Sequence, residues 1–143
     1  MANNASDYLE LKLLQHIFTS NGGTAYTAPA DNAIYVSLHT ASPADDNSGS
    51  NEITGDDYAR SNASNTLTWT VAQAGGTTTA KNVQAVAFPQ ASGNYSAPVP
   101  HIGIYDASSG GNLLFHGQLS VAKTVTQGDT FQINASALVI TLE

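Results

Sequence analysis

The 143 residues fit one domain, because a chain of about 150 residues buries roughly 70% of its unfolded surface and can build a core unaided. The absence of cysteine excludes disulfides, thiolate metal ligands and cysteine nucleophiles. Four Lys and Arg against eleven Asp and Glu give a formal net charge of −7, which argues against nucleic acid as a partner because phosphate binding requires clustered cations.

The start of the chain is typical of an amphipathic helix and not of a targeting segment. It has no basic region followed by an apolar run, and no segment reaches the ~20 apolar residues of a membrane span, so we expect a soluble protein without a membrane partner. Ser6 or Asp7 can cap a helix, with Glu10 placed as in a capping box. The pattern predicts a helix over residues 6–20, with an apolar stripe formed by Leu9, Leu11, Leu13, Leu14, Ile17 and Phe18.

This helix has two interpretations, which are compatible. It packs on its own sheet, as most amphipathic helices do, or part of its wide apolar face docks on a partner. A small sheet can cover only part of such a face. We therefore name as candidate subunit or capsid contacts on the helix Tyr8, Leu11, Leu14 and Phe18.

A strand followed by an acidic loop comes next. Residues 33–40 alternate apolar and polar side chains, which predicts a half-buried strand, and Pro43 closes it. Residues 44–57 carry five acidic side chains among Asn, Ser and Gly, and loops longer than ~12 residues are uncommon unless they bind something or move. The ordered ligand series of an EF-hand is missing, so we predict that the loop binds no calcium.

Arg60 follows the acidic loop closely. Its guanidinium is suited to clamp the loop through charge-assisted hydrogen bonds to Glu52, Asp56 and Asp57. The alternative is an inter-subunit ion pair, since guanidinium groups are also suited to interfaces. Arg60 is therefore a further candidate contact residue.

The middle of the chain predicts two more strands. Residues 66–71 place Leu67, Trp69 and Val71 on one face, and we expect Trp69 in the core. A turn at Gly75 and Gly76 leads into a second strand, through Val86 and Phe88, that Pro89 ends.

Residues 101–117 give the clearest hairpin signal. Ile102 and Ile104 alternate with less apolar residues, and the connection over 106–112 gathers short polar residues and two glycines. The return strand has apolar or small residues at every second position, namely Leu113, Phe115, Gly117, Leu119 and Val121. We expect this hairpin at the centre of an antiparallel sheet.

Two short strands end the chain, one through Phe131 and Ile133 and the other through Leu138, Ile140 and Leu142. With about seven strands and one helix, the sequence predicts a mainly β fold. We expect an antiparallel β-sandwich, jelly-roll-like, as a single domain over residues 1–143 with the helix at its N-terminus.

No motif indicates catalysis or cofactor binding. His16, His39, His101 and His116 lack the spacing of a zinc site, and there is no nucleophile elbow, phosphate-binding loop or pair of strand carboxylates. We therefore predict no catalytic residues, no cofactor, no metal and no enzyme activity. A carbohydrate-binding module is an alternative from another class, although such modules display exposed aromatic residues, and here only Tyr26, Tyr58 and Tyr95 fall in expected loops.

Three motifs stand out along the chain, namely LHT followed by Pro43, the pattern E-x-x-G-x-x-Y-A-R from Glu52 to Arg60, and D-A-x-x-G-G-N-L-L from Asp106 to Leu114. With them, the chain resembles a family of small tailed-phage structural proteins. Similar segments run in order along nearly the whole chain. Members of this family are often labelled tail fibre proteins, and similar small β-domains serve as capsid decoration, or cement, proteins.

The resemblance implies a non-enzymatic virion protein. Because the sequence has no long repetitive shaft, we expect decoration of the outer capsid surface, where the protein would stabilise capsomer junctions. The implied partners are the major capsid protein and copies of the chain itself, as a homotrimer. A tail, baseplate or tail-fibre component is the alternative, and a host surface glycan is a possible further ligand that no motif supports.

Overall fold

The computed structural model describes residues 3–18, 34–49, 51–62 and 69–142. Within these ranges, no helix is long and apolar enough to cross a membrane. The described residues form one helix and ten strands: β1 (Asn3–Ala5), α1 (Asp7–Phe18), β2 (Tyr35–His39), β3 (Ser61–Asn62), β4 (Trp69–Ala74), β5 (Thr77–Asn82), β6 (Val86–Gln90), β7 (Val99–Tyr105), β8 (Leu113–Lys123), β9 (Thr130–Ile133) and β10 (Val139–Leu142).

The predicted hairpin lies at the centre of the largest sheet, as expected. This sheet is antiparallel with the strand order β1-β8-β7-β2-β3, so β7 has two strands on each side. Its turn is closed by Asp106, whose carboxylate accepts hydrogen bonds from the backbone N–H and the side-chain amide of Asn112 at 2.6 and 2.7 Å. Gly110 and Gly111 adopt positive φ angles of 59° and 73°, which other residues rarely tolerate.

Two small sheets form the second layer and confirm the sandwich. One has the order β10-β5-β4 and the other pairs β6 with β9. The buried core contains side chains from the main sheet and from the β6–β9 sheet, namely Val36, Leu38, Val99, Ile102, Val86, Phe88, Phe131 and Ile133, together with the loop residues Ile53, Ala91, Tyr95, Val125 and Leu138. From the third sheet, the partly buried Trp69 packs against this core. More strands are present than the seven expected, because β1 and β3 are very short and the strand predicted before Pro89 is divided into β5 and β6.

The prediction that Pro89 ends a strand is wrong. β6 continues through Pro89 to Gln90, and its pairing with β9 shifts register between Ala87 and Gln90. Proline lacks an N–H group for the sheet ladder, so it is tolerated where the pairing is already irregular.

The strict alternation predicted along β8 is also wrong. Leu113 and Leu114 are both buried, because the register shifts between the pairs that Ile104 and Tyr105 make with β8. An extra residue in one strand of an antiparallel pair produces such a shift. In β7 the half-buried pattern is replaced by burial of both faces from Ile102 to Tyr105.

Trp69 begins β4 among the described residues, and Leu67 lies outside them. The Trp69 side chain packs against the core but is only partly buried, whereas Val71 is largely exposed. Of the side chains expected on the core face of this strand, Trp69 therefore contacts the core and Val71 does not.

Asn82 at the end of β5 generates the first prediction. Its buried amide donates to the carbonyls of Gln84 (2.7 Å) and Asn134 (3.0 Å) and accepts from the N–H of Leu138 (2.9 Å). We expect Asn82→Ala to lower the free energy of unfolding by about 3 kcal/mol. Each of the three hydrogen bonds contributes roughly 1 kcal/mol, and the substitution leaves the two carbonyls and the N–H without the Asn82 side chain as their partner. Urea denaturation measures the loss. The exposed Gln84→Ala, which keeps the carbonyl acceptor, should change stability by less than about 0.5 kcal/mol, and an equally small loss for Asn82→Ala would contradict the prediction.

Candidate functional site

The start of helix α1 is anchored to the main sheet and to the acidic loop. The buried Ser6 hydroxyl donates to the Leu113 carbonyl and accepts from the N–H of Leu9 at 3.3 Å, which confirms Ser6 as the helix cap. The N–H groups of Ser6 and Asp7 donate to the carbonyls of Leu114 and Asp45 at 3.0 and 3.1 Å. The helix runs over Asp7–Phe18, so the last two residues of the predicted range lie outside the described residues.

The apolar stripe of α1 is open to solvent. No residue of the helix is buried. We use the name helix stripe for its large side chains that are 50% to 78% exposed, namely Leu11, Leu13, Leu14, Ile17 and Phe18. Among the described residues, the helix therefore leaves its stripe largely uncovered, and docking of the stripe on a partner stays a prediction.

The candidate contact residues of α1 are divided between two environments. Leu11, Leu14 and Phe18 belong to the exposed helix stripe. Tyr8 is half-buried, with the Lys12 ammonium 5.9 Å from its ring centroid. Their role in contacts stays a prediction.

A second apolar surface lies where the two layers separate. We call it the apolar groove. It has a volume of about 420 Å³ and is lined by Ile34, Trp69, Val71, Thr78, Ala80, Ile104, Leu114, Phe115, Ile140 and Leu142. The Nε1–H of Trp69 is itself inaccessible to solvent and has no hydrogen-bond partner within the described ranges. Sequence reasoning missed the groove, because strand patterns do not show how far two layers stand apart.

Arg60 clamps the acidic loop through Glu52, as the sequence suggested, but its hydrogen bonds do not include the other two expected partners, Asp56 and Asp57. Its Nε and Nη2 donate to the two carboxylate oxygens of Glu52 at 2.8 and 2.7 Å. Its Nη1 donates to the carbonyls of Ala107 and Gly110 at 2.9 and 2.8 Å, in the turn of the central hairpin. The guanidinium carbon also lies 3.6 Å from the ring centroid of Tyr105.

The Arg60 side chain is only 6% exposed and faces the interior of the chain. Burial opposes its charge, but the hydrogen bonds and charge of Glu52 raise the pKa of Arg60. Burial likewise opposes the Glu52 charge, yet Arg60 lowers the pKa of Glu52. The structure shows an internal ion pair, and an inter-subunit role for Arg60 stays a prediction.

The acidic loop covers the polar face of the main sheet. We use polar face for the side bearing Ser37, His39, His101, Tyr105 and His116. Asn47 in the loop accepts a hydrogen bond from the Tyr105 hydroxyl at 2.7 Å, and Asp45 lies 2.6 Å from Nε2 of His116. The loop is therefore long because it extends across the polar face and supplies hydrogen-bond partners to it.

A serine, a histidine and an asparagine form a hydrogen-bonded series on the polar face. His39 Nδ1 lies 2.9 Å from Asn51 Oδ1, and His39 Nε2 lies 2.8 Å from Ser37 Oγ. Because the amide oxygen can only accept, Nδ1 carries the proton and the Ser37 hydroxyl donates to Nε2. The order is that of a nucleophilic triad, but Ser37 is fully buried, and a Cβ placed on Gly103 would lie 2.7 Å from its hydroxyl. No substrate carbonyl can reach Ser37, so the series is structural.

Two aromatic residues considered for sugar stacking are packed internally. Tyr95 is buried, and Tyr58 lies against Phe88 and Tyr95 with ring centroids 6.2 and 6.1 Å apart. Tyr26 lies outside the described residues. Across the described part of the chain, no group of three His, Asp or Glu residues is arranged to hold a metal ion.

A family model described as podophage GP4 fiber I protein gp80 matches residues 4–141. The chain belongs to this family. The match includes α1, the acidic loop and the central hairpin, and it confirms the resemblance to small tailed-phage structural proteins. No curated protein matches the sequence significantly.

The Arg60 clamp gives the second prediction. Arg60→Lys keeps the charge but removes the planar fork that bonds Glu52 and the hairpin turn together. We expect the free energy of unfolding to fall by about 2 kcal/mol, because hydrogen bonds to charged groups contribute roughly 1.5–3 kcal/mol each and lysine restores only some of them. Chemical denaturation measures the loss, with the exposed Lys123→Ala as control. A loss below about 0.5 kcal/mol would show that the clamp does not stabilise the fold.

The third prediction concerns pH. Burial lowers the pKa of His39, against an opposing effect of its hydrogen bond to Asn51. Burial also lowers the pKa of His101, and the nearby His116 lowers it further. Both side chains stay neutral in the folded protein at a pH where the unfolded chain already binds protons. Stability should therefore be full above pH ~6.5 and fall below it, by up to about 1.4 kcal/mol per pH unit for the more deeply buried His39 and by less for His101, which solvent screens.

Unfolding curves at several pH values test this, with His39→Gln as the informative variant. Glu52 and Arg60 are the charged groups nearest His39, and the Glu52 carboxylate titrates in a lower pH range, which separates the two effects. We expect the slope below pH ~6.5 to become shallower in His39→Gln and to stay unchanged in the exposed Gln84→Ala, which removes no titratable group. Equal slopes in the wild type and in His39→Gln would contradict the assignment.

Proposed function

We propose that the chain is a non-enzymatic structural protein on the outside of a phage particle, held there through the helix stripe of α1. Membership of the fiber I family supports the virion role. The observation that carries the attachment surface is the exposure of five large apolar side chains on a helix whose start is firmly anchored. Isolated exposed apolar residues are common, but a contiguous stripe is typical of an interaction site.

The energy available from the helix stripe is sufficient for docking. Its five side chains expose on the order of 500 Å², which corresponds to about 12 kcal/mol at ~25 cal/mol per Å². Association costs of about 4–15 kcal/mol offset much of this in a single copy. Several copies on one particle would gain avidity, because each further contact becomes intramolecular.

Two placements on the particle fit this proposal. The description of the family favours a fibre component. The lack of a repetitive shaft in the sequence favours decoration of the outer capsid surface, with the major capsid protein as partner and a trimer at capsomer junctions. Imaging of labelled particles distinguishes the two, since label over capsomer junctions supports decoration and label at the tail vertex supports a fibre.

The fourth prediction tests the helix stripe. We expect the double variant Leu11→Asp and Leu14→Asp to reduce copy number on particles at least about tenfold, because a carboxylate at a dry contact costs more than 1.4 kcal/mol. Both side chains are mostly exposed in the free protein, so its melting temperature should fall by no more than about 5 °C, roughly 1 kcal/mol at this size.

Copy number is measured on particles assembled without the protein and then supplied with it. His16→Gln, at an exposed helix position on a different face from the stripe, serves as the matched control. Unchanged occupancy in the double variant would remove the helix from the attachment surface. Collapse of the free protein would show instead that the helix stabilises its own domain.

A further inference from the structure

Three histidines are neighbours on the polar face of the main sheet. In the register of the sheet, His39 on β2 lies opposite His101 on β7, and His101 lies diagonally from His116 on β8. Opposite side chains on one face of an antiparallel sheet are about 5 Å apart, and diagonal ones are about 7 Å apart. A positive charge on one imidazole therefore opposes a charge on the next.

His39 is enclosed in its neutral form. It is 1% exposed, its Nδ1 donates to Asn51 of the acidic loop, and the ring of Tyr105 stacks on it with the centroids 6.2 Å apart. The nearby carboxylate of Glu52 is already bonded to Arg60, so it offers a charged His39 little compensation. The closed loop therefore favours the uncharged imidazole of His39.

His101 lacks a hydrogen-bond partner at one ring nitrogen. Its Nδ1 is inaccessible to solvent, and no group in the described part of the chain bonds to it. An imidazolium carries a proton on both nitrogens, so a charged His101 would bury an N–H group without an acceptor. The ionisable side chains beside it are His39 and His116, which bring no negative charge. The closed loop therefore also favours the neutral form of His101.

The acidic loop is attached to this face by polar contacts. Between the buried Pro43 and the clamped Glu52, none of the described side chains of the loop is buried. The loop contacts the polar face through the side chains of Asp45, Asn47 and Asn51. Segments without buried apolar contacts have a low free energy of local opening. The loop can therefore separate from the sheet while the hydrophobic core stays folded.

The same loop holds the start of α1. The carbonyl of Asp45 accepts a hydrogen bond from the N–H of Asp7 at 3.1 Å, whereas Ser6 bonds to Leu113 and Leu114 of β8. Opening of the loop would remove the first bond and leave the others in place. The helix would then stay tethered to the sheet at Ser6 but lose its bond to the loop.

We propose that the acidic loop is a pH-sensitive cover. When His39 and His101 take up protons, the loop separates from the polar face and withdraws the Asp45 carbonyl from α1, while the core stays folded. The open loop admits water to the polar face, where it hydrates both charged imidazoles. This inference goes beyond the proposed function and does not rest on it, because it concerns the free protein.

His116 acts in the opposite direction. Its Nε2 lies 2.6 Å from the Asp45 carboxylate, so a charged His116 favours the closed loop. The Asp45 side chain is 54% exposed, however, and solvent screening makes an exposed ion pair weak. The two other histidines therefore decide the direction, since the closed loop binds fewer protons than the open loop and acid favours opening.

Amide hydrogen exchange of the full chain, followed by NMR, tests the proposal. The N–H groups of Asp7 and Thr40 donate to the loop carbonyls of Asp45 and Asn51, so both report on opening. After correction for the intrinsic pH dependence of exchange, we expect both to exchange about tenfold faster at pH ~5.5 than at pH ~7.5, because each proton taken up on opening contributes up to about tenfold per pH unit. The amides of β7 should keep their protection, because the core stays folded.

Variants identify the groups that respond to pH. The double variant His39→Gln and His101→Gln should lose most of the acceleration, with β7 protection at pH ~7.5 as the check that it folds. Asp45→Asn removes the carboxylate beside His116 and should shift opening to higher pH by roughly 0.5 unit. Asp46→Asn is its matched control, because this exposed carboxylate accepts from Ser48 within the loop rather than from a histidine.

Each outcome decides the question. Faster exchange at Asp7 and Thr40 with β7 protected, and its loss in the double histidine variant, would support the proposal. Unchanged exchange at these two amides would overturn it. Simultaneous loss of protection in β7 would also overturn it, by showing that acid unfolds the whole domain. Equal acceleration in the double variant would exclude the histidines as the cause, and equal effects of Asp45→Asn and Asp46→Asn would overturn the opposing role of His116.

Discussion

The Arg60–Glu52 ion pair joins parts of the chain that are far apart in sequence. One guanidinium holds the carboxylate of the acidic loop, two carbonyls of the hairpin turn and the ring of Tyr105. The polar face of the central sheet can be buried only because the loop is fastened over it in this way. Burial of polar groups is costly unless each has a partner, and the loop supplies Asn47, Asn51 and Asp45 as partners for the residues below.

This arrangement explains which parts of the fold could be predicted. The central hairpin was evident because Ile102 and Ile104 alternate and because the residues from Asp106 to Asn112 suit a tight turn, both of which are local signals. The clamp was partly evident for the same reason, since Arg60 lies eight residues from Glu52 in a short segment. Its bonds to the hairpin turn were not, because they span about fifty residues and depend on how the sheet folds.

The features that sequence reasoning missed arise from relations between strands. The register shift that buries both Leu113 and Leu114 depends on how β8 pairs with β7. Pro89 remains inside β6 because the pairing with β9 is irregular at that position. Burial of both faces of β7 follows from the acidic loop, whose composition alone is that of a solvated segment. In each case the local sequence pattern indicated that a strand or loop is present, but it did not indicate which strand or loop lies beside it.

The helix shows the same limit and links the fold to the proposed contact. An apolar stripe shows which side chains a helix can bury. The sequence does not show whether they are buried by the same domain or by another chain. A helix of twelve residues is marginal in isolation, so the cap at Ser6 fixes its start while packing must support the rest. Because no residue of α1 is buried in the free chain, a partner on the stripe would supply that packing. Under the proposed attachment through the stripe, order in the helix and attachment of the protein would be coupled, and each would strengthen the other.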